Sequence, residues 1–261
     1  MDNITIIIPI HKFDDTYEGL FKKAINSVNS LTYKGGYRIF LVGPSELVEK
    51  AKTVATSLGV KRDISLIEND ETDFYCQVNK GVYSCVTPFF TILEIDDEFA
   101  NYWLDVFDKY EKYHNASIYI PVNELVENGK VVSTMNEIVL GASFADDEKG
   151  IGFITGPILE QYALFNLTGA VFKTEDFISL GCLKPSLKTA AWYEFMLRAA
   201  YNNYDIYVVP KIGYRHTVSR EDSYMAETNN SISKEEGAWL FDTAKQEYFF
   251  KEDRNKKFSD Q

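Results

Sequence analysis

Residues 94–98 read Glu-Ile-Asp-Asp-Glu, four carboxylates in five positions. Like charges this dense must be solvated or neutralised. Oxygen ligands of this kind suit Mg²⁺ or Mn²⁺. A divalent ion held by Asp96 could in turn hold a diphosphate. On an extended chain Glu94 and Asp96 point to one side and Asp97 to the other. The competing reading is a solvated strand-to-helix loop, with Asp96 or Asp97 as its N-cap. Two more features could join this chemistry. His11-Lys12 follows an apolar run, and Tyr214-Arg215-His216 lies four residues beyond Pro210. Glu194 sits one helical turn before Arg198. That spacing fits a surface ion pair, or a carboxylate aimed into a cleft as general base.

Composition narrows the partners. The chain has 261 residues, 45% hydrophobic and 25% charged, with three cysteines and three histidines. Cys76, Cys85 and Cys182 form no CxxC pair, so a Cys/His zinc cluster is not expected and a reduced, cytoplasmic compartment is. No apolar run reaches the roughly 18 residues of a membrane span. The N-terminus, MDNITIIIPI, lacks the basic start of a secretory signal. A net charge of −12 opposes nucleic acid and anionic membranes. Within it, residues 181–220 hold six cations (Lys184, Lys188, Arg198, Lys211, Arg215, Arg220) against Glu194 and Asp205, a local excess of +4. Such an island either meets phosphate or is a solvated face.

The elements that would position these residues alternate. ITIIIPI (4–10) and YRIFLV (37–42) read as strands buried on both faces, and 63–67 and 88–95 as two more. Helical spacing covers 16–31, 45–58 and 74–86 between them. This βα alternation predicts a doubly wound, mostly parallel α/β sheet, whose ligands bind beyond the carboxyl ends of the strands. The second half is less regular: a helix over 102–113, strands over 116–122 and 167–173, a helix over 191–202, and a short strand over 206–210 closed by Pro210. Residues 234–250 carry a terminal helix, and the tail after it is expected to fray.

In this order the segments resemble a family-2 glycosyltransferase of the GT-A fold. ITIIIPIHKF resembles that family's first strand and the loop after it. QVNKGVYSCVTPFFTILEIDDEF resembles an Asn-x-Gly turn leading to the strand with the DXD-type motif. LTGAVFKTEDFISLGCLKPSL resembles the segment facing donor and acceptor, and WYEFMLRAAYNNYDIYVVPKIGYRHTVSREDS the Leu-Arg helix followed by a Tyr-Arg-His stretch. WYEFMLR with the AKQEYFF helix also looks like a phage-type subgroup. The resemblance implies a GT-A domain over 1–223 (nucleotide-binding half 1–100, acceptor-side half 101–223), and a C-terminal helical extension over 224–261.

It also implies roles. The donor is a nucleotide sugar, a UDP-sugar by the family's habit, and transfer proceeds with inversion. Glu94 and Asp96 match the two acids of the DXD. Asp96 and His216 match the Mn²⁺ or Mg²⁺ ligands, and Pro9, His11, Asn79 and Arg215 fall in donor-contacting segments. The family's Glu-Asp pair before the Leu-Arg helix is replaced by Ala191-Trp192, so the base role passes to Glu194, with Asp97 in reserve. The base-reading acidic turn after the second strand is replaced by Val42-Gly43-Pro44-Ser45, and Val78 stands where an Arg often precedes the Asn. The expected acceptor is a saccharide or other hydroxyl compound, with Trp103 and Trp192 as possible stacking platforms. Hydroxymethylated DNA is the alternative that net charge disfavours. A binding module that has lost its base is a further reading. A nucleotidyltransferase ranks last, because the first strand lacks a Gly-rich basic loop.

Overall fold

The computed structural model describes residues 2–137 and 150–259, the last eleven as backbone only. The first half alternates as the pattern predicts: β1 (Asp2–Pro9), α1 (Asp15–Asn29), β2 (Gly36–Gly43), α2 (Ser45–Ser57), β3 (Ile64–Glu68), α3 (Phe74–Tyr83) and β4 (Phe89–Ile92). β3, β2, β1 and β4 lie side by side and parallel, the Ile, Val and Leu side chains of β2, β1 and β4 buried on both faces and those of the edge strand β3 half-buried. α3 packs closely on this sheet because position 81 is glycine: a Cβ there would come within 2.9 Å of Ile7.

The chain continues through β5 (Glu98–Phe99), α4 (Trp103–His114), β6 (Ile118–Glu127), β7 (Lys130–Met135), β8 (Phe153–Ile154), α5 (Gly156–Gln161), β9 (Val171–Lys173) and α6 (Thr174–Ser179). A short 3₁₀ segment (Pro185–Ala190) leads to α7 (Ala191–Tyr201), β10 (Ile206–Thr217), α8 (Tyr224–Ser231) and α9 (Lys234–Ser259). The sheet order is β3-β2-β1-β4-β9-β6-β10-β5, with β7 on β6 and β8 on β10. β9 runs antiparallel between β4 and β6, while β6 and β10 pair in parallel.

Three expectations change here. Pro210 does not end its strand: β10 runs twelve residues to Thr217. Its partner register jumps from Val209↔Pro121 to Ile212↔Val122, so Pro210 and Lys211 bulge out of the ladder, where a missing N–H costs nothing. The strand placed at 167–173 shrinks to three residues, because Gly169 turns at φ +75, where the Tyr214 ring would meet a Cβ at 2.4 Å. The tail expected to fray continues α9 to Ser259. Residues 224–231, left without an element by the sequence pattern, form α8. α9 lies on α7 through Leu240, Ala244 and Tyr248. No helix among the described residues is long and apolar enough to cross a membrane.

Candidate active site

β1 has β2 on one flank and β4 on the other, so the chain reverses its direction of winding at the β1/β4 boundary. In open α/β sheets the crevice beyond the strand ends at such a point is where ligands bind. His11 follows β1 there and Glu94–Asp97 follow β4. After Ile92 the chain stops being extended: the Asp97 N–H bonds the Glu94 carbonyl at 3.2 Å, closing a turn. Strand alternation therefore lapses, and the acids sort differently from the expectation. Glu94 groups with Asp97 and His216, with one ligand atom of each within 4.8 Å of the others. Asp96 turns aside to an ion pair with Arg220.

β10 brings His216 to the acids across 119 positions. Strand alternation, intact here, sends Tyr214 and His216 to one face and Arg215 to the other. The buried Tyr214 hydroxyl accepts the Glu94 N–H at 2.9 Å. His216 Nδ1–H donates to Asp97 Oδ2 at 2.9 Å, and the Thr217 N–H donates to Asp97 Oδ1 at 2.7 Å. Burial alone would lower the His216 pKa, but the Asp97 carboxylate outweighs it and raises it to about 10. Burial, then the neighbouring Asp97, raises Glu94 to about 8; the same two causes raise Asp96 to about 6, with Arg220 opposing. These charges are crowded in a pocket that shields them from water, an arrangement found at functional sites.

Two cavities meet at Glu94 and His216. The smaller, about 290 Å³, is lined by His11, Tyr17, Asp96 and Arg220 among others. The larger, about 770 Å³, opens between α3, the 163–168 segment, α7 and the α8–α9 helices. Tyr224 lines both. His11 stands edge-on to the Tyr17 and Tyr224 rings with both ring nitrogens buried and unpartnered. Burial, helped by Lys12 and Arg220, lowers its pKa to about 4, so it is neutral. Around the smaller cavity, Arg220 bridges Asp96 and Asp222, the Tyr17 hydroxyl donates to the Asp222 carbonyl, and the Tyr224 hydroxyl donates to Asp73 at 2.7 Å.

Asp96 and His216, the expected metal ligands, thus share one cavity. Five other expected site residues line neither of these two cavities. Glu194 is 2% exposed and its oxygens accept from Lys184, Arg198 and Tyr248, away from either cavity's lining. It sits on the side of α7 that α9 covers, so the i,i+4 ion pair with Arg198 is the reading that holds. Arg215 lies on the opposite face of β10, paired with Glu124 at 2.8 Å. The Asn79 amide is used up on the Leu183 N–H and carbonyl, clamping the 181–184 loop to α3. Pro9 is buried at the end of β1 opposite Val42, so it aims the chain toward His11 without lining a cavity itself. Asp97, the reserve base, is fully buried with both oxygens engaged. Trp103 is a core residue whose indole N–H donates to the Gly169 carbonyl, whereas Trp192 does line the larger cavity.

Sequence reasoning did not single out Arg220 or Tyr224. Arg220 was visible as a member of the cationic stretch, but nothing in the sequence selected it over Arg215. The stretch itself is not a positive surface: five of its six cations are paired with carboxylates, four of those partners (Glu124, Glu236, Asp96, Asp222) lying outside it.

No protein-family model and no curated protein matches this sequence. Among solved structures, the chain is similar to S. aureus TarS 1–349 in complex with UDP-GlcNAc, with a TM-score of 0.66 and 15% identity over 92% of this chain and 64% of that one. It is similar also to TarS 1–349 in complex with UDP, at TM-score 0.59 and 16% identity over 92% and 70%. A further crystal structure of S. aureus TarS 1–349 gives 0.59 and 16% over 82% and 60%. The chain covers less than two thirds of two of these three structures. At such identities the likeness concerns the fold, and on that ground the chain has the GT-A fold, a central, mostly parallel sheet followed by a C-terminal helix.

Proposed function

We propose that the protein is a glycosyltransferase that moves a sugar from a nucleoside diphosphate, with a UDP-sugar as the expected donor, to an acceptor hydroxyl with inversion. The observation that carries this reading is the meeting of Glu94, Asp96, Asp97 and His216 at the crevice beyond β1 and β4. The two neighbours crystallised with UDP-GlcNAc and UDP support the choice of donor.

The donor set fits a divalent ion. Asp97 takes the Nδ1–H of His216, so Nε2 is the nitrogen that would face an ion, which would displace the proton held there in the ion's absence; this is the carboxylate–histidine pairing that commonly backs a metal ligand. Asp96 adds a carboxylate oxygen once Arg220 leaves it, and an imidazole with a carboxylate suits Mn²⁺ better than Mg²⁺. When bound, the ion supplies positive charge beside the diphosphate. Arg220, freed from Asp96, adds a second positive charge in the same cavity. Neutral His11 and the Tyr17 and Tyr224 rings form the wall for the nucleoside.

Glu94 is the one described carboxylate that lines both cavities. It takes the base role expected of Glu194. The acceptor oxygen forms its bond to the anomeric carbon as the bond from that carbon to the diphosphate oxygen breaks. The bonding pair leaves with the diphosphate, and the acceptor proton passes to Glu94. A pKa raised toward neutrality suits that task. A compact hydroxyl acceptor is favoured over DNA, because the cationic stretch spends its charge on the protein's own carboxylates.

Mn²⁺-dependent hydrolysis and transfer from UDP-sugars, with UDP binding followed by calorimetry, tests the reading. Glu94→Gln is expected to bind UDP and to slow turnover by about 10²–10⁴. Asp96→Asn is expected to lose Mn²⁺-dependent UDP binding. Normal turnover by Glu94→Gln removes it as base, and a wild-type protein that binds neither UDP nor any UDP-sugar overturns the assignment.

A further inference from the structure

We infer that the larger cavity is an acceptor subsite for a molecule whose accepting hydroxyl is attached to an apolar body, an aryl or alkyl aglycone. This deepens the glycosyltransferase reading and rests on it for the word acceptor. The two cavities that meet at Glu94 and His216 differ in chemistry. The smaller holds Asp96, Arg220 and His11, the groups a diphosphate and its counter-ion need. The larger is walled by rings: Tyr75, Phe165, Trp192, Tyr193, Tyr224 and Phe241. Besides Glu94 and His216, the one charged side chain on its wall among the described residues is Lys234.

Two of the three wall tyrosines engage their hydroxyls with the protein itself. The Tyr193 hydroxyl donates to the Leu159 carbonyl at 2.7 Å and the Tyr224 hydroxyl to Asp73 at 2.7 Å. The Asn166 side-chain oxygen accepts from the Thr168 N–H and hydroxyl and its backbone is held by Asn136, while the polar lining residues Asn229, Asn230, Ser233 and Lys234 belong to α8, α9 and the turn between them, across from the rings of α3 and α7. A free saccharide laid against the ring wall would leave the hydroxyls on that side without partners, and each buried unpaired hydroxyl is costly. An apolar group entering the same space gains about 25 cal/mol per Å² removed from water. The rim continues the apolar character outward, with Leu164 76% and Met225 43% exposed. Exposed apolar residues beside an aromatic-walled cleft mark a binding surface. A cavity of about 770 Å³ holds a ligand of several rings.

A matched pair of probes separates aglycone from sugar: phenyl β-D-glucopyranoside and methyl β-D-glucopyranoside, titrated into the whole protein by saturation-transfer NMR and calorimetry. The expected result is a dissociation constant at least tenfold lower for the phenyl compound, and a loss of that advantage in Leu164→Asp, a surface change that leaves the core intact. Equal affinities, tighter binding of the methyl compound, or no binding of either overturns the inference. UDP titrated with Mn²⁺ in the same preparation tells the two failures apart. UDP binding without phenyl preference defeats the aglycone site alone. Phenyl preference without UDP binding leaves the site standing and defeats the glycosyltransferase reading.

Discussion

Glu194→Gln separates the two roles that a glutamate at this position can have. In the folded protein Glu194 is 2% exposed, and it accepts from Lys184 at 2.6 Å, from Arg198 at 2.9 Å and from the Tyr248 hydroxyl. It therefore ties the loop before α7, the α7 helix and α9 together. Breaking a buried ion pair by removing one partner costs about 3–5 kcal/mol when the other is left stranded. Two features soften that here. Arg198 keeps its bonds to the Leu180 and Cys182 carbonyls, and the Lys184 side chain is 46% exposed and can turn to water. A loss of about 2–3 kcal/mol is expected, which for a domain of this size lowers Tm by about 5–10 °C. Thermal unfolding followed by circular dichroism measures it. Tyr248→Phe removes one donor to the same carboxylate, worth about 1.5–3 kcal/mol, and because the two changes share one contact the double variant should cost less than the sum. Turnover well below Tm should change less than about threefold. A Tm within 1 °C of wild type together with a turnover loss of about 10² or more, the general-base signature, would refute the structural role.

Arg220→Ala is expected to weaken UDP binding by about tenfold or more and Arg215→Ala to leave it within about twofold, because their guanidiniums lie on opposite sides of β10's end; calorimetric titration with UDP and Mn²⁺ compares them, and equal losses would contradict the assignment. For His11 the folded pKa of about 4 lies below the unfolded 6.5. The unfolded chain then binds the extra proton, so this contribution to stability is present above pH 6.5 and is lost as the pH falls toward 4. His11→Phe, which keeps a ring between Tyr17 and Tyr224, should lose less stability than wild type between pH 6.5 and 4.5 in urea titrations; parallel curves would count against a buried neutral imidazole. Asn79→Ala should cost about 1–3 kcal/mol by stranding the Leu183 N–H and carbonyl while Mn²⁺-dependent UDP binding persists, and loss of UDP binding at unchanged stability would return Asn79 to the donor site.

The βα alternation was legible because local pattern carries it. Runs such as ITIIIPI and YRIFLV bury both faces whatever lies beyond them, and helical spacing fills the gaps between. The acids of 94–98 and the lone His216 could be picked out by type, and the rule that ligands sit beyond strand ends put them in one crevice. What each did there was not legible. Alternation assigned Glu94 and Asp96 to one side, but the turn at Glu94–Asp97 cancels alternation and gives Asp97 to His216 and Asp96 to Arg220.

Tyr214, Arg215 and His216 show the division most plainly. Their types and order are fixed by the chain, and so is the fact that neighbours in a strand face opposite ways. Whether they were in a strand at all depended on β10 continuing past Pro210, which a bulge against β6 decides. The same holds for charge. The chain by itself sets a +4 excess over 181–220, yet folding brings it carboxylates from three distant positions (Asp96, Glu124 and Glu236) besides the adjacent Asp222, and Glu194 is claimed by a tyrosine 54 residues away on α9. Local sequence determines which backbone conformations and which charges are available. Partners that are far apart along the chain are chosen only when the packed structure removes water and each buried polar group must find the nearest one left.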